Sequence, residues 1–328
     1  MSTYTMVEAI NLALHHAMRQ HPDVVVLGED VGLNGGVFRA TQGLLEQFGS
    51  HRVLDTPLAE SLIAGISVGM ATQGLRPVAE IQFMGFIYAA MEHLISHAAR
   101  MRNRTRGRLS CPLTLRVPHG GGIHAPEHHS ESTEALLTHI PGLKVICPSS
   151  PRIAYQMILA AIEDPDPVIV LEPERLYRSL RQECPDDGQR LPLEKALIRR
   201  SGSDISLISW GACLQDCLQA AAMLHLQGVA AEVIDVATLK PLDRSTLLAC
   251  VGHTGRALIV HEAPLSGGWG AEIAAWLSAE LFGFLKAPIQ RLTGFDTIMP
   301  YARMESLYIP SVQNIIDATL HIMTGDLL

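Results

Sequence analysis

No stretch of this chain approaches the ~20 consecutive apolar residues that a bilayer span requires. Its first residues, Met1-Ser2-Thr3-Tyr4-Thr5-Met6-Val7-Glu8, carry neither a basic region nor a long apolar core. No membrane span or signal peptide is therefore expected, and a cytoplasmic location is. Cysteine is sparse and scattered: Cys111, Cys147, Cys184, Cys213, Cys217 and Cys250 never form a Cys-x-x-Cys pair. In a chain of this size that pattern predicts reduced, structural thiols. Positive charge is also short, and a net charge of −8 argues against nucleic acid as the main ligand. The local run Arg100, Arg102, Arg104, Arg106 and Arg108 reads as a solvated loop after a helix, with contact to an acidic partner as the alternative. Phosphate-loop signatures are absent: there is no Gly-x-Gly-x-x-Gly and no Walker motif. Gly267-Gly268-Trp269-Gly270 reads as a tight turn rather than an anion site. No Gly-x-Ser-x-Gly elbow occurs, and His261-Glu262 is not followed by the second histidine of a zinc protease.

What remains is a globular, rather apolar chain of 328 residues, 48% hydrophobic and 18% charged, long enough for more than one domain. Val24-Val25-Val26-Leu27 is all apolar, as expected of a strand covered on both faces. Strands at Val53, Val78–Ile81, Leu113–Val117, Lys144–Cys147 and Val168–Leu171 alternate with helices at Val7–Arg19, Thr41–Phe48, Glu60 onward, Gly85–Arg102, Thr133–Thr138 and Pro151–Ile162. That alternation predicts a parallel sheet with helices on both faces. A charged, turn-rich stretch reads as a linker, after which the rhythm resumes with about half as many strands. The expected organisation is two three-layer α/β domains: residues 1–175, a linker at 176–192, and residues 193–328.

Two places carry titratable chemistry. Glu60 follows Asp55-Thr56-Pro57-Leu58-Ala59 and stands at or beside the start of a helix, where the positive dipole end favours an anion. Leu62, Ile63, Ile66, Met70 and Ala71 keep helical spacing and predict that this helix is mostly buried. On spacing alone, Glu60 reads first as a capping residue. The second place is the loop opened by Gly120-Gly121-Gly122, which holds His119, His124, His128 and His129. Pro126 between His124 and His128 disfavours a helical metal pair. A substrate-facing loop with histidine as acid or base fits better, and a plain polar surface loop remains the alternative.

Taken in order, Gly28-Glu29-Asp30-Val31, Gly35-Gly36-Val37-Phe38-Arg39, Asp55-Thr56-Pro57-Leu58-Ala59-Glu60, Glu80-Ile81-Gln82-Phe83, His129-Ser130, Pro141-Gly142-Leu143-Lys144-Val145, Leu176-Tyr177-Arg178 and His261-Glu262-Ala263-Pro264 form a set. This set resembles the beta subunit of the decarboxylating component of 2-oxo acid dehydrogenases, the pyruvate, branched-chain and acetoin complexes. The likeness spans essentially the whole chain. It implies a thiamine-enzyme pyrimidine-binding domain followed by a transketolase C-terminal domain. It also implies that Glu60 hydrogen-bonds a ring nitrogen of thiamine diphosphate, with Leu58, Gln82 and Phe86 lining the same pocket. His129 would handle the substrate carboxylate or an incoming lipoyl group, with His124 a second candidate. Carbonyls of Leu113, Ala161 and Ile162, with Asp164 and Asp166, would hold a structural potassium ion; Asp166 replaces the asparagine common there.

The likeness also exposes a gap. Thiamine enzymes hold the diphosphate through magnesium with Gly-Asp-Gly and a later asparagine, and this chain has no Gly-Asp-Gly. The magnesium side is therefore expected on an alpha subunit, in an α2β2 heterotetramer that passes acyl groups to a dihydrolipoyl acyltransferase core. Acetoin dehydrogenase, and a self-sufficient transketolase-like homodimer, are the alternatives. The motifs divide between pyruvate and branched-chain 2-oxo acids as substrate.

Overall fold

The structure, a computed structural model, describes residues 2–324. From the N-terminus it runs β1 (Thr3–Tyr4), α1 (Met6–Gln20), β2 (Val24–Gly28), α2 (Leu44–Phe48), β3 (Val53–Asp55), α3 (Glu60–Thr72) and β4 (Arg76–Glu80). There follow α4 (Met101–Arg104), β5 (Thr114–His119), α5 (Glu134–His139), β6 (Lys144–Ile146), α6 (Pro151–Glu163), β7 (Val168–Pro173) and β8 (Gln182–Glu183). The remainder is β9 (Leu197–Arg200), β10 (Ile205–Ser209), α7 (Cys213–His225), β11 (Ala231–Asp235), β12 (Thr238–Lys240), α8 (Arg244–Thr254), β13 (Ala257–Pro264), α9 (Trp269–Glu280), β14 (Gln290–Gly294), α10 (Ala302–Tyr308) and α11 (Val312–Thr324).

Local signals explain several boundaries. Thr5 and Glu8 close a capping box on α1: the Thr5 amide donates to Glu8 Oε2 at 2.7 Å and the Glu8 amide to Thr5 Oγ1. Pro151 opens α6, where a missing N–H costs nothing. Asp243 caps α8 by accepting from the Thr246 amide, and Gly255 ends that helix in the left-handed region.

The strands assemble into two large sheets. The first has the order β12-β6-β7-β5-β4-β2-β3 and the second β14-β13-β10-β11-β9. Both are parallel except at one edge, where β12 and β9 run antiparallel to their neighbours. Every residue of β2, β5 and β7 is buried, as strands covered on both faces must be. One apolar core lies between α1, α6 and the first sheet. On the other face a single core is continuous from Leu27, Ile81 and Leu115 to Ile208, Ile234 and Ile259, so the two sheets share it.

Three expectations need correction. The predicted helix 85–102 is broken: a 3-10 turn covers Met84–Ala90, a π-helical turn His93–His97, and a second 3-10 turn Ala98–Arg100. The tight first winding sends Met84, Ile87 and Ala90, three apart, into the core. Second, α3 is buried on one side only; Ile63, Ala64 and Val68 are covered while Leu62 and Ile66 are 42% and 37% exposed. Third, the later sheet has five strands, not half the earlier number. The sequence offered no sign of β12, which comes from the later part of the chain yet pairs with β6 of the first sheet. The segment 176–192 is also tied down: β8 pairs with β1, and Arg152 reaches the Pro185 carbonyl and Asp187.

A charged group sits inside the first sheet. Arg116, fully buried on β5, donates from Nη1 to Glu80 Oε2 at 2.7 Å. Its Nε and Nη2 donate to the two oxygens of Glu172 at 2.7 and 2.9 Å. The Tyr177 hydroxyl completes the set on Glu172. Burial pushes the Glu80 carboxyl up and Arg116 pulls it back. Removing one member strands the others in a dry interior. Arg116→Met is expected to cost roughly 3–5 kcal/mol of stability, measured by denaturant unfolding of the full chain.

Candidate active site

The C-terminal ends of β2, β3 and β4 lie side by side, Gly28 opposite both Asp55 and Glu80. Crevices outside such strand ends are where parallel α/β sheets bind ligands. Asp55 accepts from the Gly32 and Leu33 amides at 2.6 and 3.2 Å, which pins the loop after β2 against the turn after β3. Gly36 holds φ +80°, and a Cβ there would lie 3.1 Å from Glu80 Oε1. That loop therefore packs on the buried Arg116 group, and only glycine allows it.

The same turn delivers Glu60 as the first residue of α3, half-buried, with Leu58 73% exposed two residues earlier. Ala59, the cap residue, offers no side-chain hydrogen bond. Just after β4, Gln82 Nε2 lies 3.5 Å from the Glu29 carbonyl oxygen. The Glu29 carboxyl is raised above its ordinary range, mainly by burial and then by the charges of Asp30 and Glu60. Three carboxylates thus share this rim.

Beyond Gln82 the rings begin. Phe83 touches Phe38 (5.5 Å between centroids), Phe86 (5.8 Å) and His129 (4.4 Å). Phe86 meets His129 at 5.3 Å and His128 at 5.5 Å. His129 Nδ1 is buried with no hydrogen-bond partner among the described residues. Glu60, Gln82, Phe86 and His129 are thus linked through Glu29 and the ring cluster. His124 is not part of that cluster: its Nδ1 lies 2.6 Å from Glu305 Oε2, on α10.

The oxygens expected to hold potassium lie where the end of α6 meets the strand start at Leu113. The Leu113 carbonyl accepts from Val168, that of Ala161 from Asp164, and that of Ile162 from Arg76. Lys144 Nζ lies 2.5 Å from Asp164 Oδ2, and Arg102 Nε 2.8 Å from Asp166 Oδ1. Protein cations already balance both carboxylates.

Sequence reasoning missed the support beneath the site. Arg116 gave a signal, a lone charge within an apolar strand, that passed unused. At the junction of the two sheets, Glu134 accepts from Trp210 Nε1 at 3.0 Å and faces His119 at 3.3 Å. His261 stacks on Trp210 at 5.1 Å and is lowered to about 4 by burial. Glu174 has no hydrogen bond on either oxygen among the described residues, and burial, then Glu262 and Glu305, raises it to about 9.

Comparisons with known proteins agree with this architecture. Residues 2–179 match the transketolase pyrimidine-binding domain family and residues 194–315 the transketolase C-terminal domain family. The chain is 46% identical over 315 residues to the pyruvate dehydrogenase E1 component subunit beta of Acholeplasma laidlawii, covering 96% of each. Identity to the subunit of that name from Staphylococcus epidermidis is 46% over 317 residues, 97% of this chain and 98% of the relative. For the Bacillus subtilis subunit it is 44% over 323 residues, 98% and 99%. A solved structure described as a split gene transketolase, inactive beta4 tetramer, superimposes with a TM-score of 0.80 at 22% identity, over 99% of both chains, a likeness of fold.

Two outcomes test the geometry. A Cβ on Gly85 would run into the His128 carbonyl oxygen. Gly85→Ala should displace the histidine loop and cost roughly 1–3 kcal/mol, seen as a lower melting temperature with shifted histidine resonances. Glu174 is protonated in the folded chain up to about 9, but the unfolded chain releases that proton in the ordinary carboxylate range. Its contribution is complete in acid and is lost as pH rises through that window. Glu174→Gln should therefore melt above the wild type at pH 8, with the gap closing toward pH 5.

Proposed function

The chain belongs to the family of pyruvate dehydrogenase E1 component beta subunits, and from that premise we propose that it is the glutamate-bearing half of a thiamine diphosphate-dependent decarboxylase of 2-oxo acids. The relatives' names favour pyruvate over branched-chain acids. The observation that carries the reading is Glu60: a half-buried carboxylate at the first turn of α3, with no capping contact from Ala59, beside Glu29, whose carbonyl oxygen lies 3.5 Å from Gln82 Nε2.

The residues present suit the aminopyrimidine end of that cofactor. Leu58 and Phe86 offer apolar surface, Gln82 an amide, and Glu60 a carboxylate able to share a proton with a weakly basic ring nitrogen. Bound thiamine diphosphate supplies the carbon nucleophile and the electron sink for loss of carbon dioxide. Glu60 holds and returns the proton at the ring nitrogen. His129, packed on Phe83 and Phe86, presents an imidazole to the substrate carboxylate or to an incoming lipoyl group.

The assembly follows from what the chain lacks. Without Gly-Asp-Gly it does not hold magnesium, so an alpha subunit supplies that metal and the diphosphate site in an α2β2 enzyme. The exposed apolar side of α3, with Leu58, Leu62 and Ile66, suits such a contact. The acyl group then passes to lipoyl-lysine on an acyltransferase core.

Glu60→Gln, co-expressed with the alpha partner, should retain assembly and lose on the order of 10²-fold or more in pyruvate decarboxylation. Turnover near that of the wild type would remove Glu60 from the chemistry.

A further inference from the structure

The loop between β5 and α5 is held from both domains: Tyr88 of the first donates its hydroxyl to Glu131 Oε2 at 3.1 Å, and two carboxylates of the second grip its glycines. At its base the Gly120 amide donates to the Glu131 carbonyl at 3.0 Å. Glu262, near the end of β13, bridges both flanks: its Oε1 accepts from the Gly121 amide at 2.9 Å and from Ser132 Oγ at 3.1 Å. Glu305, on α10, accepts from the Gly122 amide at 2.6 Å through Oε1 and faces His124 Nδ1 at 2.6 Å through Oε2. Glu262 and Glu305 are both buried. Between these anchors runs the segment that places His129 on Phe83 and Phe86.

We propose that His124 is a positioning residue: its pairing with Glu305 ties the histidine loop to the second domain and thereby sets where His129 stands. The inference rests on the reading of His129 given under the proposed function. It reassigns a histidine that the sequence offered as a second substrate-facing group. Three observations carry it. His124 Nδ1 stands 2.6 Å from Oε2 of a buried carboxylate of the other domain, an ion pair when the imidazole is protonated, while its side chain is 69% exposed. Its backbone holds φ +61°, a left-handed conformation that is costly for most side chains and that the pairing rewards. The same carboxylate grips the Gly122 amide two residues earlier, so side chain and backbone are fixed together. Two carboxylates of the second domain thus hold the loop that carries His129.

The test uses two replacements of equal size that both tolerate the left-handed backbone. Asparagine keeps a donor close to the position of Nδ1; aspartate sets a like charge against Glu305. Neither is an imidazole. In the complex with the alpha partner, His124→Asn should turn over pyruvate near the wild-type rate, whereas His124→Asp should lose about 10- to 10²-fold in kcat, the scale of a displaced catalytic group. In the full-length chain alone, a glutamate-specific protease should cut after Glu127 or Glu131 faster in His124→Asp and at the wild-type rate in His124→Asn. Loss of turnover in both variants with unchanged loop protection would show that the imidazole acts chemically and would overturn the proposal. So would wild-type cleavage and turnover in His124→Asp. His129→Ala, assayed in parallel, separates the premise: normal turnover there would remove His129 from the reaction, while the protease result would still decide whether His124 anchors the loop.

Discussion

Three neighbouring strands of the first sheet converge on one guanidinium. Arg116 on β5 reaches sideways to Glu80 on β4 and to Glu172 on β7, and all three side chains are buried. Such a group adds little net stability relative to an apolar core, but it tolerates no alternative register, because a slip would strand a charge in a dry interior. The ends of β4 and β7 are thereby fixed relative to β5. Three parts of the site hang from those ends. The turn carrying Gln82, Phe83 and Phe86 leaves β4, the Gly35–Gly36 loop packs on the Glu80 carboxylate, and the histidine loop leaves β5.

The rim of the crevice is acidic and its floor aromatic. Asp30 and Glu60 both repel the Glu29 carboxylate, and the fold retains them in spite of that. Natural chains keep such conflicts where chemistry uses them. Of the three, Glu29 binds its proton more readily than an isolated carboxylate, through burial and then the charges of Asp30 and Glu60.

Much of this was legible in the amino-acid order. The all-apolar Val24–Leu27 segment, the strand–helix alternation and the helix beginning at Glu60 each rest on local signals, and each forms as read. What escaped has a common cause. Arg116, Glu80 and Glu172 lie far apart in the chain, so their pairing leaves no local pattern. β12 is three residues long, too short for a period. The run after Gln82 is apolar at spacings that suit 3.0 and 3.6 residues per turn alike, so its changes of winding were invisible. Leu62 and Ile66 keep helical spacing with the core residues, yet face outward. Periodicity marks an apolar face without saying what covers it.

The strand exchange between the sheets has an evolutionary corollary. Thr238–Lys240 belongs by chain order to the second half and by hydrogen bonding to the first. Lys240 Nζ also donates to the Thr138 and Ile140 carbonyls of the first half. The halves are therefore not interchangeable cassettes. A recombinant that joined the front of one homologue to the back of another would inherit a foreign border strand. Compatibility at those few positions would filter which shuffled genes yield a folded product, and the two halves should diverge as a linked pair.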